Sequence, residues 1–317
     1  MMSTDFGDIP LKGIIPPLVT PLEDRDTLDV AGLERLIEHV ISGGVHGVFI
    51  LGSTGEGPSL SYRLRREMIQ ETCRLVDRRV PVLVGVTDSS VFETTELARA
   101  AADLGADAVV LAAPYYFPAN QQELQHFVTE AVADSPLPLF LYNMPSHTKL
   151  NFDIDTVRRL INVPGIVGLK DSSGDMLYFN QLLELAADRP DFTVLMGPEQ
   201  LMAQSVLMGG HGSVCGGANL VPELFVKQYE AAISDDVETV RTLQKDVLQL
   251  ADRIYSVAKP PSSYLRGLKC ALSCAGICSD TMAPPFSTLI PHERDVMQSN
   301  LAELGIIETI GAARWQR

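Results

Sequence analysis

One apolar run, Ile166-Val167-Gly168-Leu169-Lys170, ends in a lysine. Desolvation at such a position favours the free amine over the ammonium, and a free amine attacks ketones. The imine that forms is an electron sink, able to stabilise a carbanion on the neighbouring carbon. A second run, 138–143, ends in Tyr142-Asn143, and a phenol suits the proton transfers of imine formation and carbon–carbon chemistry. A third is followed by Gly52-Ser53-Thr54-Gly55-Glu56-Gly57, whose hydroxyls and exposed backbone N–H groups suit a small carboxylate. That turn matches neither G-x-x-x-x-G-K-[ST] nor G-x-G-x-x-G, so neither nucleotide fingerprint applies. Further runs end in Pro114-Tyr115-Tyr116, in Asp171-Ser172-Ser173 beyond the lysine, in Gly197-Pro198-Glu199 and in Gly216-Gly217-Ala218-Asn219. A lone lysine after a strand is ordinarily solvated, and a lone Gly-rich turn is ordinary punctuation. Only the set, brought to one place, has a chemistry.

The elements between these residues predict such a place. Eight apolar runs occur at 13–19, 47–51, 80–86, 107–113, 138–143, 165–170, 192–197 and 212–216. Each is short, rich in Val, Ile, Leu and Phe, and continuous rather than alternating, as strands covered on both faces are. Helix-period segments lie between them at 30–42, 61–76, 93–104, 121–133, 155–161 and 223–232. Asp29 stands at a helix start, Gly43-Gly44 and Gly105 at helix ends, and Gly57-Pro58-Ser59 leads into another helix. An α/β chain of this kind closes most economically as a (β/α)8 TIM barrel. The rival is a doubly wound open sheet, but strand starts spaced by roughly 20–35 residues with no mid-chain break favour the barrel. The expected barrel spans 1–233 and holds the active site. A C-terminal helical extension, 234–317, follows with helices at 235–257, 262–275 and 292–304 and a break at Lys259-Pro260-Pro261. With no low-complexity linker before it, the extension is expected to pack on the barrel or a neighbouring subunit. Residues 308–317 carry the only Trp and read as a frayed end. In a barrel all C-terminal strand ends surround one pocket, whatever their separation in sequence.

Composition narrows the chemistry. With 25 Lys+Arg against 40 Asp+Glu the formal charge is −15, which argues against a partner such as nucleic acid that needs a basic face. No apolar run approaches the roughly 20 residues of a bilayer span. The opening MMSTDFGDIP lacks the pattern of a signal peptide, and five sparse cysteines suit a reducing compartment, so a cytoplasmic location is expected. Six scattered histidines (39, 46, 126, 147, 211 and 292) include no H-x-H or H-E-x-x-H, so no metal is expected. Cys270, Cys274 and Cys278 recur every four residues and read as small buried hydrophobes before a metal or redox set. No G-x-S-x-G marks a serine hydrolase. The glycines of 209–217 raise a phosphate-binding barrel as a rival, but Val214 and Cys215 read more simply as strand.

GSTGE at 52–56, PYY at 114–116, YNMPSHT at 142–148 and GLKDSSGD at 168–175 stand in an order and spacing that resemble the dihydrodipicolinate synthase / N-acetylneuraminate lyase family. The resemblance covers essentially the whole barrel and the C-terminal helices. It implies a class I, cofactor-free mechanism in which Lys170 forms an imine with pyruvate and Tyr142 shuttles protons. Ser53, with Thr54 and Gly52 of the same turn, would hold the carboxylate, and Tyr116 from a neighbouring subunit would complete the proton relay. A homotetramer, built as a dimer of dimers, is the usual assembly. In true dihydrodipicolinate synthases an arginine grips the aldehyde's carboxylate. Here that position is His147, which lacks the guanidinium fork. Sialic acid lyases usually carry an aromatic and two acids after strand seven, where this chain has only Glu199.

The resemblance therefore implies a pyruvate-dependent lyase or aldolase acting on a 2-keto-3-deoxy sugar acid or 4-hydroxy-2-oxoglutarate, with Ser172 touching a substrate hydroxyl. The alternative is condensation of pyruvate with aspartate semialdehyde, and the rival from another class is a non-catalytic ligand-binding barrel. The expected partners are small 2-keto acids and aldehydes, anions that the net charge repels, so their capture must be local, at Ser53-Thr54 and Lys170.

Overall fold

In the computed structural model residues 11–306 are described; residues 1–10 and 307–317, the latter including the expected frayed end at 308–317, lie outside them. Eight strands alternate with helices. They are β1 (Gly13–Ile14), β2 (Val48–Ile50), β3 (Val82–Gly85), β4 (Ala108–Ala112), β5 (Leu139–Asn143), β6 (Ile166–Asp171), β7 (Thr193–Met196) and β8 (Gly212–Ser213). All pair in parallel in the order β1-β8-β7-β6-β5-β4-β3-β2. The ring closes between β1 and β2 through a single parallel bridge, Pro17 to Phe49. Pro16 and Pro17 have no N–H, so a full ladder cannot form there. Closure instead uses Leu18 N–H to the Phe49 carbonyl at 2.8 Å and Phe49 N–H to the Pro16 carbonyl at 3.0 Å.

Side chains along each strand point alternately in and out. Ile15, Phe49, Leu83, Val110, Phe140, Leu195 and Val214 fill the barrel, while Val48, Ile50, Val84, Val109, Leu141, Leu169 and Val194 pack outward in the larger core. Gly168 is the exception that shapes the interior. A Cβ there would stand 2.4 Å from the Phe140 ring, so its absence lets that ring lie across the barrel beneath the β5 and β6 ends.

The helices start where local chemistry allows. α1 (Val30–Ser42) is capped by Asp29, which accepts from Gly32 N–H at 2.7 Å. α2 (Tyr62–Val76) and α3 (Val91–Asp103) begin after Ser61 and Ser90, whose hydroxyls cap them; the second starts two residues earlier than its pattern suggests. α4 (Gln121–Ala133) has a capping box between Asn120 and Glu123. A single turn, α5 (Pro145–Thr148), and α6 (Ile154–Leu160) precede β6. α7 (Met176–Ala186) and α8 (Met202–Leu207) are helices not singled out in the sequence. α9 (Pro222–Ile233) starts on a proline that needs no N–H partner.

Three further helices follow: α10 (Val237–Tyr255), α11 (Ser263–Cys274) and α12 (Pro291–Glu303). α10 contacts α9 and the 3-10 turn Glu199–Leu201, and α11 contacts the 3-10 turn Gly216–Asn219. α10 and α11 cross so closely that a Cβ on Gly267 would stand 2.1 Å from the Ile254 carbonyl oxygen. α10 and α11 therefore lie over the loops that leave β7 and β8.

Candidate active site

A cavity of about 300 Å³ opens at the C-terminal ends of the strands. Its lining includes Ser53, Thr54, Tyr142, His147, Lys170, Ser172 and Glu199, seven of the nine residues singled out from the sequence. Gly52 is not among the lining residues; a Cβ there would meet the Phe49 ring at 2.5 Å. Tyr116 is not among the residues that line the cavity: it is 77% exposed, and its ring packs edge-on against Phe117 at 5.0 Å between centroids.

The base of the cavity is set by strand register. Tyr142 of β5 stands directly beside Lys170 of β6, and Lys170 beside Leu195 of β7. Lys170 Nζ lies 4.1 Å from the centre of the Tyr142 ring and 5.1 Å from that of Phe49, and the side chain is 6% exposed. Two aromatic rings thus flank the buried amine. The Tyr142 hydroxyl is 3.4 Å from Ser53 Oγ. Burial pushes the Tyr142 phenol up, but the Lys170 charge and hydrogen bonds to Ser53, Ser172 and Lys170 outweigh it and leave the phenol below its ordinary range.

The β6 loop is held from below. Asn143 donates to Asp171 Oδ1 at 2.8 Å, and Asp171 accepts from Ser173 N–H and Oγ at 3.1 and 2.8 Å. Burial raises the Asp171 carboxyl despite these donors. Ser172 lies against Gly197, where a Cβ would stand 1.9 Å from its Oγ. His147, on α5, accepts or donates at Nδ1 with Ser146 Oγ at 3.0 Å. Partial desolvation, with the charges of Lys149 and Lys170, holds its imidazole below the ordinary range.

The far wall comes from the C-terminal helices and was not foreseen. Tyr255 of α10 donates to Glu199 Oε1 at 2.7 Å, and Gly217 N–H donates to Glu199 Oε2 at 2.6 Å. Both oxygens of Glu199 are thus engaged within the protein. Burial raises its carboxyl, partly offset by those donors. Tyr264 of α11 packs edge-on against Tyr255 at 4.7 Å, and its hydroxyl is 3.1 Å from Thr54 Oγ1. Gln244 donates to the Gln200 carbonyl at 2.8 Å and accepts from Gln228. Beneath the Gly-rich turn Lys269 pairs with Glu56 at 2.7 Å, both side chains fully enclosed. One signal of Lys269 was present in the sequence: it interrupts the stripe Leu265, Leu268, Leu272 on a helix face that is otherwise apolar. Among the described residues no group of three or more His, Cys, Asp or Glu is placed to hold a metal ion.

An eight-stranded parallel barrel with a lysine and a tyrosine at adjacent strand ends suits a lyase of the lysine Schiff-base class. The comparisons with known proteins agree on which. The pattern of the dihydrodipicolinate synthetase family matches residues 10–304. A dihydrodipicolinate synthase structure from Bacteroides thetaiotaomicron is 55% identical, with a TM-score of 0.90 over 93% of this chain and 99% of that one. YagE, a prophage protein of the same family from E. coli K12 crystallised with pyruvate, is 29% identical with a TM-score of 0.88, again over 93% and 99%. The 4-hydroxy-tetrahydrodipicolinate synthase of Ralstonia nicotianae is 30% identical over 94% of this chain and 99% of its own. This chain belongs to the dihydrodipicolinate synthetase family. It is a pyruvate-dependent class I aldolase, in which the imine itself is the electron sink and no external cofactor takes part. Its partners are small molecules, and among the described residues no helix is long and apolar enough to cross a membrane.

Proposed function

We propose that Lys170 is the imine-forming residue and that the enzyme makes or breaks the bond between the pyruvate methyl carbon and the carbonyl carbon of an aldehyde. Its preferred substrate is then a 2-keto-3-deoxy sugar acid or 4-hydroxy-2-oxoglutarate. The observation that carries this reading is the pair at the cavity base, with Lys170 Nζ 4.1 Å over the Tyr142 ring and the Tyr142 hydroxyl reaching Ser53. In the cleavage direction the Lys170 amine adds to the keto carbon, and Tyr142 protonates the departing oxygen, which leaves as water. The iminium then accepts the electrons of the breaking C–C bond while the substrate's hydroxyl loses its proton and becomes the aldehyde. Protonation of the enamine carbon and hydrolysis by water return pyruvate and the free amine. Ser53 and Thr54 hold the keto acid's carboxylate throughout.

The second substrate meets His147, Ser172 and Gln200, hydrogen-bonding groups with no arginine among them. Such a wall suits the hydroxyl groups of a 2-keto-3-deoxy sugar acid better than the distal carboxylate of 4-hydroxy-2-oxoglutarate or the carboxylate of aspartate semialdehyde. The names of the Bacteroides and Ralstonia relatives favour a second reading, condensation with aspartate semialdehyde. Rates with the two keto-acid substrates and with pyruvate plus aspartate semialdehyde separate the readings. Faster release of pyruvate from either keto acid is the expected result, and faster condensation of aspartate semialdehyde overturns the assignment.

Three expectations belong to the same proposal. The division near residue 233 separates the barrel that carries the reacting groups from the helices that wall them. A homotetramer supplies Tyr116, 77% exposed in the single chain, to a neighbour's site. The location is cytoplasmic.

A further inference from the structure

One helix holds two residues of the turn that carries Ser53 and Thr54. Tyr264 and Lys269 both project from α11, little more than a turn apart. The Tyr264 hydroxyl lies 3.1 Å from Thr54 Oγ1. Lys269 Nζ donates to Glu56 Oε1 at 2.7 Å, to the Thr20 carbonyl at 2.9 Å and to the Thr281 carbonyl at 2.5 Å. Ala283 N–H satisfies the other Glu56 oxygen at 2.8 Å. All three ammonium hydrogens and both carboxylate oxygens have partners, so this buried pair is complete.

The turn it supports needs outside support. Leu51 and Glu56, at its two ends, both sit in the left-handed region, with φ of 59° and 56°. Side chains other than glycine pay a conformational cost there and persist only where surrounding structure over-determines them. Glu56 is over-determined by Lys269 and Ala283. Thr54 has a different need: its hydroxyl must point its hydrogen at a carboxylate. Burial, with the Glu199 charge adding to it, raises the Tyr264 phenol, so the phenol stays protonated and can donate to Thr54 Oγ1. The threonine hydrogen is then free for the ligand.

We propose that α11 is the positioning element of the keto-acid carboxylate pocket, Lys269 anchoring the turn through Glu56 and Tyr264 orienting the Thr54 hydroxyl. This rests on the assignment of Lys170 as the imine lysine and of Ser53-Thr54 as the carboxylate site. Both α11 residues act through others, and neither touches the reacting atoms.

Borohydride trapping on the full chain tests it, with pyruvate and with acetone, a ketone that lacks the carboxylate. Tyr264→Phe removes one hydroxyl and keeps the ring. The expected result is a half-saturating pyruvate concentration raised about fivefold, the worth of one neutral hydrogen bond, with an unchanged rate at saturation and unchanged trapping of acetone. Thr54→Val should raise the same constant, and adding Tyr264→Phe to it should have no further effect. The Glu56→Gln/Lys269→Met pair, which buries no unpaired charge, should also raise it while leaving acetone trapping unaltered. Unchanged half-saturation in folded Tyr264→Phe overturns the proposal. So does an equal loss with pyruvate and acetone, or additive effects of the Thr54 and Tyr264 changes. Absence of any pyruvate adduct in the wild-type chain would instead defeat the assignment of the site on which the proposal stands.

Discussion

The barrel strand ends and the C-terminal helices both supply side chains to one cavity, by different physical means. Lys170 and Tyr142 are neighbours because β5 and β6 pair in register, so a ladder of backbone hydrogen bonds fixes their separation. Tyr255, Tyr264 and Lys269 reach the cavity and its turn across more than fifty, two hundred and ten, and two hundred and thirteen residues of chain, through single side-chain bonds to Glu199, Thr54 and Glu56. The strand ends hold the groups that react, and the helices hold the loops that hold the substrate. Damage to the first region should therefore appear in kcat, and damage to the second in stability or KM.

Substitutions in each region can break that contrast, and the largest effect belongs to the strand ends. Lys170→Ala should abolish turnover with no loss of fold; appreciable residual activity would remove the lysine from the mechanism. Tyr142→Phe should lower kcat by about 10²–10⁴, the usual worth of a positioned acid or base, with little change in melting temperature. In the helices Lys269→Ala strands the Glu56 carboxylate in a dry site and should cost about 3–5 kcal/mol in urea unfolding. A variant of unchanged stability would mean that Glu56 finds water. Tyr255→Phe leaves Glu199 with one donor fewer and should raise KM for the second substrate about fivefold at unchanged kcat. A kcat effect as large as that of Tyr142→Phe would erase the distinction between the regions.

The pH profile sharpens the same point. Tyr142 is an acid whose pKa is lowered in the fold, so it loses its proton at a lower pH than a free tyrosine, near 10. If the phenol must donate a proton as water leaves, activity is full below that lowered pKa and falls as pH rises through it. The alkaline limb of kcat/KM, which reports the free enzyme, should therefore begin below pH 10 and vanish in Tyr142→Phe; a limb that survives in the variant belongs to another group.

The two regions also differed in how legible they were. Buried parallel strands are continuous apolar runs, so all eight could be read, although β1 and β8 are shorter than their runs because prolines and glycine turns end the ladder. Lys170, Tyr142, Ser53 and Thr54 stood out because polar groups at the ends of such runs converge in any barrel. Glu199 lines the cavity as its strand-end position implies, and both its oxygens also serve Gly217 and Tyr255, partners that no local pattern announces. Tyr255 and Tyr264 look like ordinary half-apolar positions of amphipathic helices. Their role depends on where α10 and α11 dock, a tertiary fact that periodicity does not carry.

The most direct test of the central claim is reduction with borohydride in the presence and absence of pyruvate, followed by peptide mass mapping. A pyruvate-dependent adduct is expected on the peptide bearing Lys170, absent from Lys170→Ala. No adduct in the wild-type protein, or one that persists unchanged in Lys170→Ala, would contradict it.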